Sequence, residues 1–290
     1  MQYPPFEFYR ENCPLAPQTY YRVGGPARLA LIPRNTTEAR AAYEWMRTQP
    51  AQRLILGRGS NVLISDKGFD GIVLFTNELT GIRSLGEDRY YVQAGHSLES
   101  FVHDVIVPNN YEGTGSLTGI PGSIGGAVFM NAGTVNGSTC ELVESVDLIT
   151  PAGAKTIAVE PSSYSYRSQT LCGPDDLIVA AIFRCRRSDN DQREIHEHYL
   201  QRRREKQPHG FCCGSVFKNP ENDHAGRLIE ACGMKGVRHG GATVSQKHAN
   251  FIMNEDNATC EDILWLIGEC KRRVRDKFGI ELREEVRIIS

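Results

Sequence analysis

The sequence predicts an α+β chain of three lobes. A β-α-β order fills residues 1–77, a helix-poor series of strands fills 78–187, and a charged helical stretch leads into a helix-rich third over 188–290. In the first lobe, residues 27–33 read as a strand and 36–48 as a helix, with Thr36 or Thr37 as its N-cap. Strand 53–56, the turn GRGSN at 57–61, a short strand 62–64 and strand 71–75 complete it. The second lobe has strand 89–94, helix 97–107 capped by Ser97, a glycine-rich run, and strands 142–150, 154–159 and 177–186. The third opens on the charged segment 191–207, then helix 223–233, strand 249–253, helix 258–278 and a last strand 280–289. Asn257 or Thr259 can cap the long helix, and Gly279 can close it.

Composition narrows the function classes. The chain has 290 residues, 40% hydrophobic and 23% charged, which is ordinary for a globular protein of two or three domains. A net charge of -2 supplies no electrostatic reason for a nucleic-acid or membrane partner. No apolar run approaches the ~18 residues that span a bilayer. The N-terminus MQYPPFEFYRENCPL lacks the basic-then-apolar pattern of a secretory signal, so a cytoplasmic protein is expected. The nine cysteines form no CxxC pair and are expected to act mostly as small buried hydrophobes. The eight histidines are scattered, and no metal site is expected.

Five segments can carry chemistry. Residues 113–133, GTGSLTGIPGSIGGAVFMNAG, hold seven glycines, four Ser or Thr and no charged side chain. Glycine permits close backbone approach, and convergent turn amides make an anion nest, so the run reads either as a main-chain phosphate cradle or as plain turns. GRGSN is a second such loop directly after an apolar strand. It lacks the third glycine and the following helix of a dinucleotide-binding crevice, so any nucleotide would be clamped differently. In FCCGSVFKNP (211–220), Gly214 allows a turn that exposes Ser215 beside Lys218 and Asn219. A serine after glycine is usually a turn residue, but a hydroxyl near a lysine can deliver a proton. In YSYRSQT (164–170), Arg167 either stacks on its aromatic neighbours or meets an anion. In the tail ELREEVRIIS, Glu284 and Glu285 point to opposite faces if extended, and alternation does not choose between them.

The order YYRVGGPA (20–27), LGRGSNVLISD (56–66), GIPGSIGGAVFMNAG (119–133), YSYR (164–167), GSVFKNP (214–220), AGRLIEACGMKG (225–236), KHANFIMN (247–254) and EEVRII (284–289) resembles the UDP-N-acetylenolpyruvoylglucosamine reductase (MurB) family over nearly the whole chain. The resemblance implies that the first two lobes form a vanillyl-alcohol oxidase-type (PCMH-type) FAD-binding unit and the third an α/β substrate-binding domain. It implies reduction of the enolpyruvyl ether of UDP-N-acetylglucosamine to UDP-N-acetylmuramate, a committed step towards peptidoglycan. NADPH would reduce a non-covalent FAD, whose N5 passes hydride to C3, and a serine would protonate C2. Transferred position by position, the proton donor is Ser215, the family arginine is Arg167 and the tail glutamate is Glu285. Gly57, Gly59, Ser60, Asn61, Ile120, Pro121, Gly122, Ser123, Gly126 and Ala127 would line FAD, and Lys218 and Asn219 would contact substrate. A raised pKa for Glu285 is expected, because a bare carboxylate would repel the enolate.

Departures from the family pattern matter too. The tail has Glu284 where the family usually has proline, which weakens the choice of Glu285 over Glu284. Cys212-Cys213 precede the serine turn where small or polar residues are usual, and suggest sensitivity to thiol alkylation. Only 47 residues separate Arg167 from Ser215, as in the shorter type II form, so another segment must cover the substrate. The expected partners are NADPH and the UDP-sugar, with no nucleic acid and no membrane, and a monomer is expected. A related flavin oxidase with FAD tethered at His96, and a nucleotide-binding module without catalysis, are the competing readings.

Overall fold

The computed structural model describes residues 3–290. A five-stranded antiparallel sheet runs in the order Gly153–Ala158, Val143–Thr150, Leu177–Arg184, Arg89–Gln93, Ile82–Gly86. A four-stranded sheet runs Tyr9–Pro14, Pro26–Leu31, Phe69–Phe75, Gln52–Leu56, with the last two strands parallel. Seven α-helices are described: α1 (Thr36–Thr48), α2 (Leu98–Phe101), α3 (Thr114–Leu117), α4 (Ile124–Phe129), α5 (Gln192–Lys206), α6 (Ala225–Ala231) and α7 (Cys260–Phe278). No helix among the described residues is long and apolar enough to cross a membrane.

The chain divides into two compact units. One comprises the chain up to Glu11 with Leu29–Arg58 and Gly71–Arg203; the other comprises Asn12–Arg28, Gly59–Asp70 and Arg204–Ser290. This division cuts the chain elsewhere than 1–77, 78–187 and 188–290, because segments 12–28 and 59–70 cluster with the C-terminal part.

In the first unit, α1 buries Ala39, Ala42, Tyr43 and Met46, an i, i+3, i+4, i+7 stripe, against Leu29, Leu31, Ile72 and Leu74. Its N-cap is Asn35 rather than Thr36 or Thr37. Asn35 is extended and its Oδ1 accepts from Glu38 N at 2.9 Å, whereas both threonines are already helical. Ser97 caps α2 as expected. The segment then continues as a π turn over Val102–Ile106.

In the second unit, α7 buries Ile263, Leu266, Ile267, Cys270 and Val274. Thr259 and Asp262 form its capping box, and Gly279 closes it in the left-handed conformation. Each fully buried Leu or Ile of this face contributes about 1.5–3 kcal/mol. The expected strand 280–289 is a ladder only over Arg287–Ile289, parallel to Val62–Ile64. Before it, the hydrogen bonds of 283–285 go singly to the 216–218 segment, which leaves an isolated bridge instead of a strand. Likewise 249–253 is extended only from Ile252, because a turn from His248 to Phe251 occupies its start.

Candidate active site

In the first unit the glycine run is folded more tightly than a loop. It holds α3 and α4, and Ser123 caps α4 by accepting from Gly126 N at 3.4 Å. Four backbone segments knot together around Ser123. Ile124 N donates to His96 O, Gly125 N to Ala94 O, Leu98 N to Gly122 O and Thr76 N to Leu56 O. The approaches leave no room for side chains. A Cβ on Gly57 would lie 2.5 Å from Ser123 Oγ, and one on Gly95 would lie 1.9 Å from Thr76 O. Gly122 and Ser123 are buried in this knot while Pro121 and Gly126 are exposed at it, and Ile120 and Ala127 pack on the core of the five-stranded sheet. Such a close-packed backbone turn admits a bulky group without side-chain interference, and residues 113–133 contain no carboxylate to repel a pyrophosphate. The structure thus fits the groups expected of an FAD site.

Arg167 sits in the same unit, in a two-residue hairpin turn with φ +52°. Its Nη2 donates to Gly133 O at 2.6 Å, and its guanidinium lies 5.1 Å from the Tyr166 ring centroid. The stacking reading of this arginine is met by Tyr166, and its hydrogen bond goes to a backbone carbonyl at the end of the glycine run. A second cation was missed from the sequence. Arg203 at the end of α5 packs on Gly119, where a Cβ would lie 2.6 Å from its Cδ. Burial and the charge of Arg167 push the Arg203 guanidinium pKa down. Its only sequence signal was a run of arginines in the charged, helical segment 191–207.

In the second unit, the structure brings Ser215 and Glu285 onto neighbouring segments. Gly214, with φ +83°, turns the chain into Ser215. Glu285 N donates to Val216 O at 2.8 Å, and Phe217 and Glu284 form an antiparallel bridge. Asn61 of the GRGSN loop holds the tail from its other edge: its Nδ2 donates to Glu285 O at 3.0 Å and its O accepts from Arg287 N at 3.1 Å. The choice between the two glutamates gains a physical basis. Glu284 Oε1 pairs with Lys271 Nζ on α7 at 2.7 Å and so is engaged away from Ser215. Arg287, two residues beyond Glu285, is a half-buried cation whose pKa burial pushes down, and it too was missed from sequence.

The serine turn is held by side chains of distant sequence. Asn250, 3% exposed, accepts from Phe217 N at 2.9 Å and donates to Phe217 O at 2.8 Å, while its own O accepts from Val216 N. His248 Nδ1 accepts from Asn250 N at 3.2 Å, which requires that nitrogen unprotonated. Burial and the charge of Lys235 push the His248 pKa down, consistent with that role. Lys218 is half-buried and its N donates to Arg283 O. Asn219 Oδ1 accepts from Ala225 N at the start of α6. Gly59, Ser60 and Asn61 lie in this unit, whereas Gly57 lies in the other, so the unit boundary falls inside the GRGSN loop.

The cysteines bear on reactivity. Six of the nine are buried. Burial pushes the Cys213 thiol up to about 12, so it is protonated and inert at neutral pH. Any alkylation beside the serine turn falls to half-buried Cys212, whose pKa burial also raises.

Comparison with known proteins agrees with this geometry. Residues 207–289 match the C-terminal domain of UDP-N-acetylenolpyruvoylglucosamine reductase, and residues 27–157 match an FAD binding domain. The reductase of Chloroflexus aurantiacus is 37% identical over 286 residues, covering 95% of this chain and 96% of that protein. The reductase of Chlamydia muridarum is 36% identical over 282 residues, covering 97% and 94%. The crystal structure of UDP-N-acetylenolpyruvylglucosamine reductase (MurB) from Thermus caldophilus superposes with a TM-score of 0.80 at 30% identity, covering 97% of this chain and 98% of that one. On this similarity across nearly its full length, the chain belongs to the UDP-N-acetylenolpyruvoylglucosamine reductase family.

Proposed function

We propose that this protein reduces the enolpyruvyl ether of UDP-N-acetylglucosamine to UDP-N-acetylmuramate for peptidoglycan precursor synthesis, using NADPH and a non-covalently held FAD. The observation that carries this reading is the pairing of the Gly214–Ser215 turn with the Glu285 segment, in a chain of this family whose glycine knot admits no side chains. FAD, when bound, supplies the relay that carries hydride from NADPH to C3 of the enolpyruvyl group.

The rest of the chemistry belongs to the chain. Ser215 Oγ–H delivers the proton to C2, so the double bond gains one hydride and one proton and becomes a lactyl ether. Arg167 neutralises the substrate carboxylate and the enolate charge that grows on it. Glu285 contributes a hydrogen bond to the same charge. Lys218 holds the UDP-sugar, and Asn219 serves both the substrate and the start of α6. Main-chain amides of Gly57, Gly59, Gly122 and Gly126, with Ser60, Asn61, Ile120, Pro121, Ser123 and Ala127 around them, make the cofactor site. The protein works as a monomer in the cytoplasm, where reduced nicotinamide nucleotide and nucleotide sugars are made.

The visible spectrum tests this reading. The purified protein should be yellow, NADPH should bleach it, and the enolpyruvyl substrate should restore the colour. Bleaching without recovery would assign a different acceptor, and colour that stays with the denatured chain would replace free FAD by a tether such as His96.

A further inference from the structure

Among the described residues, four buried side-chain atoms lack a hydrogen-bond partner, and one of them, Asn77 Oδ1, belongs to the glycine knot. Asn77 follows Thr76 in a turn closed by Leu79 N donating to Thr76 O at 2.9 Å. The turn is wedged in place. A Cβ on Gly95 would lie 1.9 Å from Thr76 O and 3.0 Å from the Asn77 carbonyl carbon. On its other side, a Cβ on Gly57 would lie 3.7 Å from Thr76 Oγ1 and 2.5 Å from Ser123 Oγ. Asn77 is itself half-buried and borders the same knot as Gly57 and Ser123, on a turn held by close backbone approach.

A buried acceptor without a donor costs about 1–3 kcal/mol. The described residues supply no donor to this acceptor, which leaves it open to a bound group. We propose that Asn77 is a further cofactor-binding residue, whose side-chain carbonyl accepts a hydrogen bond from a hydroxyl flanking the pyrophosphate of FAD. The phosphate oxygens themselves only accept, so they meet the main-chain amides, while the sugar-alcohol hydroxyls on either side supply donors. The inference rests on the assignment of FAD to this knot.

The test is a fluorescence titration of the cofactor-stripped full chain with FAD, for wild type and Asn77→Ala, with a thermal melt of each stripped protein. Losing one satisfied hydrogen bond predicts about ten-fold weaker FAD binding. The stripped Asn77→Ala protein should melt at the same or a higher temperature, since an unpaired acceptor has been removed. An FAD Kd within two-fold of wild type overturns the proposal. So does a lower melting temperature of the stripped variant, which makes Asn77 structural. Failure of the wild type itself to bind FAD sinks the underlying cofactor assignment instead, so the two failures are distinguishable.

Discussion

The glycine knot of the first unit and the serine turn of the second are built by opposite means. The knot excludes side chains: Gly57 and Gly95 stand where any Cβ would strike a neighbouring segment. The serine turn depends on side chains. Asn250 replaces a missing strand, Asn61 ties down the tail and His248 holds Asn250. In the function proposed above, a bulky, polyanionic cofactor would be met by backbone, which loses no side-chain entropy on binding, whereas a proton donor aimed at one carbon would be fixed by a network of side-chain hydrogen bonds.

Substitutions can break this contrast. The largest effect is expected at the reacting atom. Ser215→Ala should leave reduction by NADPH intact and slow the step that restores the oxidised colour by about 10²–10⁴-fold, the usual worth of a positioned acid. Stopped-flow measurement of both half-reactions checks this, and full turnover in the variant would reassign the proton donor.

Next in size is Gly95→Ala in the knot. The new methyl would meet Thr76 O at 1.9 Å, and backbone cannot yield as a side-chain tip can. A loss of about 3 kcal/mol of stability is expected, at the upper end of overpacking costs, together with loss of bound flavin. If denaturant unfolding of the variant matches wild type, the knot is looser than described.

Asn250→Ala should cost about 2–4 kcal/mol, because it strands the N–H and C=O of buried Phe217. In contrast to Gly95→Ala, it should spare flavin content and lower kcat more than it raises KM, since it disturbs Ser215 and not the cofactor cradle. A fall in flavin content as large as that of Gly95→Ala would erase the distinction between the two regions.

The smallest effect is a pH slope. The folded pKa of His248 lies below its ordinary value, so the unfolded chain binds the extra proton first. The stability from neutral His248 is therefore present above about pH 6.5 and is lost as pH falls through the lower folded pKa. His248→Asn keeps an acceptor for Asn250 N but cannot titrate, and should flatten the stability curve below about pH 6.5. An unchanged slope, followed by chemical unfolding across that range, would remove His248 from the clamp.

Legibility followed the same contrast. Helix α1 was readable from its apolar stripe, and the long helix α7 from its caps, because both signals are local. The cap of α1 was misplaced by one residue, since Asn35, Thr36 and Thr37 are all capping types and only backbone angles distinguish them. The glycine run announced itself by composition, although α3 and α4 within it did not, because glycine carries no helical signal. Arg203 and Arg287 did not stand out in the sequence, because what sets them apart is loss of water, which depends on segments far away in sequence.

By itself, then, the sequence determined which stretches avoid side chains, where the main helices begin and end, and which motifs the chain shares with its family, since each of these is written in neighbouring residues. Tertiary structure alone decided that Glu284 pairs with Lys271 while Glu285 joins the serine turn. It also decided that Asn250 and Asn61 serve as backbone partners and that the thiol beside the turn is inert. The physical reason is that burial, charge pairing and hydrogen-bond satisfaction are properties of proximity in space: residues 61, 216, 250 and 285, and the pair 271 and 284, meet only when the chain has folded.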